Sequence, residues 1–157
     1  MTRQARNLLP DGMFHVAARV AASGQALFFD DDDRRVFLCQ LRRLTARCGV
    51  ELLAYCLMGT HYHLLLSGRS EDLPAVMGRL NGGYAQHFNA RHKRHGHVFG
   101  DRYTARPVCD ERHLEELWRY IEANPAKAGL ASPGETWPWM WLKPLAASSG
   151  QAGGLSH

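Results

Sequence analysis

Two apolar, β-rich runs, VELLAYCLM (Val50–Met58) and HYHLLLSG (His61–Gly68), stand with only Gly59-Thr60 between them. A break that short leaves no room for a crossover, so the runs are expected to pair as an antiparallel hairpin. The Leu64-Leu65-Leu66 run marks the second strand as a central one. A further strand is expected at Met13–Val20, whose apolar residues partly alternate. Between them, Asp30–Asp33 read as a helix start, because acidic side chains accept from the free N–H groups of a first turn and suit its positive end. Metal ligation by that run is the weaker reading, since consecutive carboxylates on a starting helix diverge. Phe37, Leu41, Leu44 and Cys48 then line one helical face, and Gly49 stands where a C-cap needs positive φ.

A second helix is predicted from Leu73 to about Asn89, on the stripe Val76, Met77, Leu80, Tyr84 and Phe88. Gly78, Gly82 and Gly83 interrupt it at a cost of roughly 1 kcal/mol each relative to alanine, so they are expected to admit a close neighbour. Val98–Val108 supplies another strand. A last helix opens at Asp110 and buries Leu114, Leu117, Trp118 and Ile121. The order β-α-β-β-α-β is the ferredoxin-like pattern. The fold class is therefore α+β: an antiparallel sheet with helices on one face, plus a C-terminal helix.

With 157 residues, 45% of them hydrophobic and 22% charged, the chain can bury its own core as one domain, which excludes disorder and a disulfide scaffold. That domain is expected over residues 1–142, followed by a flexible tail of small residues over 143–157. No apolar run approaches the roughly 18 residues a membrane span needs, and the N-terminus has no apolar stretch of the secretory kind. The four cysteines form no Cys-x-x-Cys pair, so reduced thiols and a cytoplasmic location are expected.

The net charge of +4 favours a polyanionic partner. Between Arg79 and Arg106, the cations Arg91, Lys93, Arg94, Arg102 and Arg106 mix with Tyr84, Phe88, Phe99 and Tyr103. Cations suit phosphates and flat rings suit unpaired bases, so the segment fits single-stranded nucleic acid. A solvated loop is the plainer alternative. Tyr103 and Phe99 read equally as base-stacking rings or as core.

Strand alternation puts His61 and His63 on one sheet face, about 7 Å apart along the strand, with Tyr62 on the other. A bare pair of this kind is usually solvent-exposed. On a central strand it needs polar partners, and a shared divalent cation is one. Tyr120 and Asn124, four apart on the last helix and off its buried face, can converge on one place. Pro125 puts Asn124 in the last turn. The two read as well as a surface tyrosine and a helix-ending asparagine.

The segments AYCLMGTHYHLLL, RLNGGYAQHFNARHKRHGHVFGDRY and LEELWRYIEANPAKAGL, in that order, resemble the HUH-type single-tyrosine transposases, above all the REP-associated tyrosine transposases of bacteria. The resemblance runs from about Gly12 to Leu130. It implies a ferredoxin-like fold and a single-stranded, hairpin-bearing DNA substrate. It makes His61 and His63 metal ligands through the His-hydrophobic-His motif, Tyr120 the nucleophile of the Tyr-Ile-x-x-Asn-Pro motif, and Asn124 the residue completing the metal site. Mg²⁺ or Mn²⁺ suits two imidazoles and an amide oxygen. DNA contacts are expected from Arg79, Arg91, Lys93, Arg94, Arg102, Tyr103 and Arg106. Relatives occur as monomers and as dimers, so either a monomer or a homodimer is expected. Gly59-Thr60 stands where relatives usually have Pro-Asn, and Met140-Trp141 where they have Ser-Ser-Tyr. Two other readings compete: a domesticated hairpin-DNA binder without cleavage, and a zinc hydrolase, which would want a carboxylate or third histidine.

Overall fold

The computed structural model describes residues 11–144. The hairpin forms as predicted. Strands β2 (Glu51–Leu57) and β3 (His61–Gly68) pair antiparallel, and the Met58 N–H closes the turn by donating to His61 O at 2.9 Å. Strand β1 (Gly12–Arg19) lies on the other side of β3, so β3 is central. With β4 (Thr104–Pro107) and β5 (Met140–Leu142) the sheet has five strands in the order β4-β1-β3-β2-β5.

Two helices cover one face. Helix α1 (Asp31–Cys48) is capped by the Asp30 carboxylate, which accepts from Asp33 N at 3.1 Å, and ends at Gly49 with φ 71°. Helix α2 (Leu73–His92) buries the predicted stripe from Val76 to Phe88. Both pack on Phe14, Val16, Ala18, Tyr62, Leu64 and Leu66, which alternate inward from β1 and β3. The expectation for the α2 glycines is corrected in part. A Cβ at Gly78 or Gly82 would meet nothing within 4 Å, and only Gly83 faces a neighbour, the Gln40 amide at 3.5 Å. Two of the three thus lie on an open face, because the packing stripe of α2 runs elsewhere around the helix.

Helix α3 (Glu111–Lys127), capped by Asp110 accepting from His113 N at 2.8 Å, crosses the opposite face. Trp118 and Ile121 pack there against Leu53, Ala54, Cys56 and Leu65. The register of β2 shifts between Leu52 and Ala54, and this bulge turns Leu53 and Ala54 to the same side. Helix α3 covers only part of the face, and the end of β3 that carries the histidines lies beyond its apolar contacts.

Two strands differ from expectation. The predicted Val98–Val108 strand is regular only over β4, because residues 98–100 leave the ladder to wrap the end of β1. Ala21 N donates to Val98 O at 2.9 Å and Gly100 N to Arg19 O at 3.0 Å. A Cβ at Gly100 would lie 3.1 Å from Ala21 Cα and from Val20 O, so a larger residue would have to push this backbone apart by a few tenths of an ångström. Strand β5 was not anticipated, since three residues behind a proline carry no period. It is fixed by Leu57 N donating to Trp139 O at 2.8 Å and by the Trp137 indole N–H donating to Leu57 O at 2.9 Å. The ladder contact continues into the predicted tail, where Lys143 N donates to Leu53 O at 2.8 Å. The remainder of that tail, from residue 145, lies outside the described residues. Among the described residues no helix is long and apolar enough to cross a membrane.

Candidate active site

Tyr62 points into the helical layer, fully buried, and its hydroxyl donates to Asn81 Oδ1 at 2.6 Å. His61 and His63 consequently face the other way, towards α3, with ring centroids 5.0 Å apart and planes at 89°. Each ring is held by its Nδ1. The Thr60 hydroxyl lies 3.1 Å from His61 Nδ1, and His15 Nε2 lies 3.0 Å from His63 Nδ1. The Gly59-Thr60 turn is itself pinned, since Leu27 N donates to Gly59 O at 2.8 Å and Val20 N to Thr60 O at 3.0 Å.

Asn124 reaches this pair from α3. Its side chain comes near enough to His61 to favour the protonated ring, and its Nδ2 donates to the Tyr120 carbonyl at 3.0 Å. It sits in the last turn, as Pro125 predicts, although the helix runs on to Lys127. The structure thus brings His61, His63 and Asn124 together. Tyr120 is one turn earlier, 55% exposed, and does not line the cleft beside the histidines. The Lys127 ammonium stands 5.5 Å from its ring centroid.

The histidines are kept neutral. Burial, then the charge of Arg19, lowers the His61 pKa to about 4 against the upward pull of Asn124. Burial, then His15, His61 and Arg19, brings His63 down to about 3. Neutral imidazole is the form that ligates a cation. His63 Nε2 is buried without a hydrogen-bond partner, an orphan of the kind a ligand satisfies. The donor set fits a divalent cation: two imidazole nitrogens and an amide from a helix end. Among the described residues no group of three or more His, Cys, Asp or Glu could hold a metal. Neither His15, whose Nε2 is turned to His63, nor Asp101 in the cleft wall completes such a group with the two histidines, so the zinc-hydrolase reading gains no support among the described residues.

The pair opens on a cleft of about 650 Å³ walled by Arg19, His97, Phe99, Gly100, Asp101 and Arg102. Of the cations expected to touch DNA, Arg102 lines this cleft, and Arg106 on β4 pairs in register with His15. Arg79 on α2 and Lys93 at its end are exposed, and Arg94 stacks over Phe88 at 5.5 Å, all in the helical layer. Two expectations need correction. The guanidinium of Arg91 is occupied by Asp30, at 2.7 Å, and by Asp33, at 2.8 Å, so it is no free phosphate contact. Tyr103 is 8% exposed in the helical-layer core, which leaves its ring no face for a base. His15 and Arg19 were missed. Alternation along β1 put them on one face, but only the register Ala17↔His63 and Arg19↔His61 brings that face to the histidines.

The sheet order β4-β1-β3-β2-β5 thus puts a two-histidine strand at its centre and sets the helix bearing Tyr120 and Asn124 against the face those histidines occupy. Residues 12–124 match the family model for IS200-like transposases, and the chain belongs to that family. Its fold is similar to that of a REP-associated tyrosine transposase solved bound to a REP hairpin, with TM-score 0.70 and 12% identity over 84% of this chain and 77% of that one. It is also similar to a putative transposase from Deinococcus radiodurans R1, with TM-score 0.50 and 21% identity over 70% and 88% of the two chains. No protein of curated function matches the sequence. The resemblance read from the motifs is thereby borne out.

Proposed function

We propose that this chain nicks and rejoins single-stranded DNA beside a hairpin, with Tyr120 as nucleophile and a divalent cation, Mg²⁺ or Mn²⁺, held by His61, His63 and Asn124. The observation that carries the reading is the orphaned His63 Nε2, buried against a cationic cleft, with Asn124 of the tyrosine-bearing helix close to its neighbour His61. The family's transposase activity and the hairpin held by a protein of the same fold supply the substrate class. A bound cation supplies Lewis acidity, drawing charge from a non-bridging phosphate oxygen.

The chain's own residues do the rest. Arg19 and Arg102, which make no ion pair among the described residues, offset the phosphate charge that would repel a nucleophile. Tyr120 Oη attacks phosphorus in line, the P–O3′ bond breaks, and a 3′-hydroxyl leaves while a 5′-phosphotyrosine forms. A second 3′-hydroxyl reverses the step, so the ester energy is conserved. The Tyr120 hydroxyl gives up its proton to solvent as the new P–O bond forms. Substrate must draw the exposed Tyr120 ring towards the cleft.

The test is an SDS-resistant protein–DNA adduct formed with labelled hairpin DNA from sequences flanking the gene, in Mn²⁺ or Mg²⁺. We expect the adduct from the native chain and none from Tyr120→Phe or in EDTA. An adduct that persists in Tyr120→Phe sinks the assignment. Salt-sensitive hairpin binding with no adduct from the native chain selects the binding-only alternative.

A further inference from the structure

His15 belongs to neither transposase motif, yet its Nε2 stands within hydrogen-bond distance of His63 Nδ1. The β1–β3 register pairs Ala17 with His63, so His15 is the diagonal neighbour on the same sheet face. Its ring meets that of His63 edge to edge, with centroids 5.2 Å apart and planes at 19°, and its Nε2 is 3.0 Å from His63 Nδ1. One proton lies between those two nitrogens. If His15 carries it, a neutral His63 must bear its own proton on Nε2, a buried N–H with no acceptor. If His63 Nδ1 carries it, Nε2 keeps a lone pair facing the cleft, and His15 accepts. The second arrangement avoids an orphaned buried donor and leaves a nitrogen that can ligate. His15 cannot itself be a third ligand through Nε2, because that nitrogen is already turned to His63.

We infer that His15 is a positioning residue: by accepting from His63 Nδ1 it fixes the tautomer and ring orientation in which His63 Nε2 is available to a divalent cation. The inference rests on the cation-binding reading above. Partners of this kind on ligating histidines typically carry 10- to 100-fold in metal affinity.

The experiment uses the full chain, Mn²⁺ as probe with calorimetry and electron paramagnetic resonance, and imidazole ¹⁵N NMR of the metal-free protein. His15→Phe keeps a flat ring and removes the acceptor; His15→Gln returns an acceptor. We expect one Mn²⁺ bound by the native chain and none by His63→Ala. Binding should weaken about 10- to 100-fold in His15→Phe and recover in part in His15→Gln. The NMR should place the His63 proton on Nδ1 in the native protein and spread it over both nitrogens in His15→Phe. Native affinity and an unchanged His63 tautomer in His15→Phe overturn the inference while leaving the cation site standing. Should His15→Phe fail to fold, the native spectrum decides alone, and a His63 proton on Nε2 overturns the assignment. If the native chain binds no Mn²⁺, or binds it as well after His63→Ala, the cation-binding reading falls and takes the inference with it.

Discussion

In the helical layer, His87 and His92 turn their Nε2 atoms to the two oxygens of Asp33, at 3.2 and 2.8 Å. Arg91 Nη1 and Phe29 N add donors at 2.8 and 3.0 Å, and the carboxylate is fully buried. Across the sheet, His15, His61 and His63 gather with no carboxylate among them, and a nitrogen of the last is left open. Burial pushes the Asp33 pKa up, but the hydrogen bonds from Arg91, His92, Phe29 and His87 outweigh it and hold the group below its ordinary value. Histidine type alone therefore does not mark a site. A cluster closed by a carboxylate joins α1 to the end of α2, whereas a cluster without one keeps a lone pair for a ligand.

The largest effect expected from breaking this contrast is on the closed side. Asp33→Ala strips the acceptor from four buried or half-buried donors, and removing one partner of such a network costs about 3–5 kcal/mol. Urea denaturation should show a lower midpoint with an unchanged slope. His63→Ala should cost well under that, because it deletes an unsatisfied nitrogen along with the ring. The mirror result belongs to the cation. Mn²⁺ should raise the Tm of the native chain and of Asp33→Ala, and leave that of His63→Ala where it was. A His63→Ala loss as large as that of Asp33→Ala would mean that both clusters are structural.

The closed cluster shows how far the sequence could be read. The aspartate run announced a helix start, and Asp30 is that cap. Nothing in the run distinguished Asp33, whose burial depends on α2 crossing α1 with His87, Arg91 and His92 on the facing turns. Arg91 looked like the other cations of its segment for the same reason: a free arginine and a paired one have one local sequence. The hairpin, the alternation of His61, Tyr62 and His63, and the caps at Asp30, Gly49 and Asp110 follow from neighbours a few residues apart, so they were legible. Register was not. Arg19 and His15 join the candidate site through β1–β3 pairing across more than forty residues, and the three-residue β5 exists only because β2 offers it an edge.

Acid separates the clusters next. His15 is lowered to about 4 by burial, then by Arg106 and His113, and His61 and His63 sit at about 4 and 3. The unfolded chain takes up these protons near the ordinary histidine value of about 6.5, so between pH 6.5 and 4 it binds more protons than the folded chain. Folding stability should be fully present above about pH 6.5 and fall as pH drops to 4, by up to about 1.4 kcal/mol per pH unit for each proton. The depressed Asp33 works lower down, its stabilisation being lost only as pH falls through the acid range below its ordinary pKa. Denaturation midpoints measured from pH 7.5 to 4 should slope in the native chain and slope less in His61→Ala/His63→Ala, which leaves His15 alone to contribute. A slope untouched by that double substitution would assign the acid sensitivity elsewhere.

The smallest expected effect distinguishes two arginines of the same charge. Arg19 lines the open cleft and makes no ion pair among the described residues, while Arg91 is held by Asp30 and Asp33. Each phosphate contact releases counterions and adds just under one unit to the slope of log K against log salt. Arg19→Ala should therefore lower the hairpin-binding slope by about one unit and leave the urea midpoint within roughly 0.5 kcal/mol of native, as for a surface change. Arg91→Ala should do the reverse, lowering the midpoint and leaving the salt slope alone. If Arg91→Ala instead flattens the salt dependence, the guanidinium exchanges its carboxylates for phosphate when DNA arrives. The closed cluster would then be a latch released by substrate, and the contrast between the two clusters would hold only for the free protein.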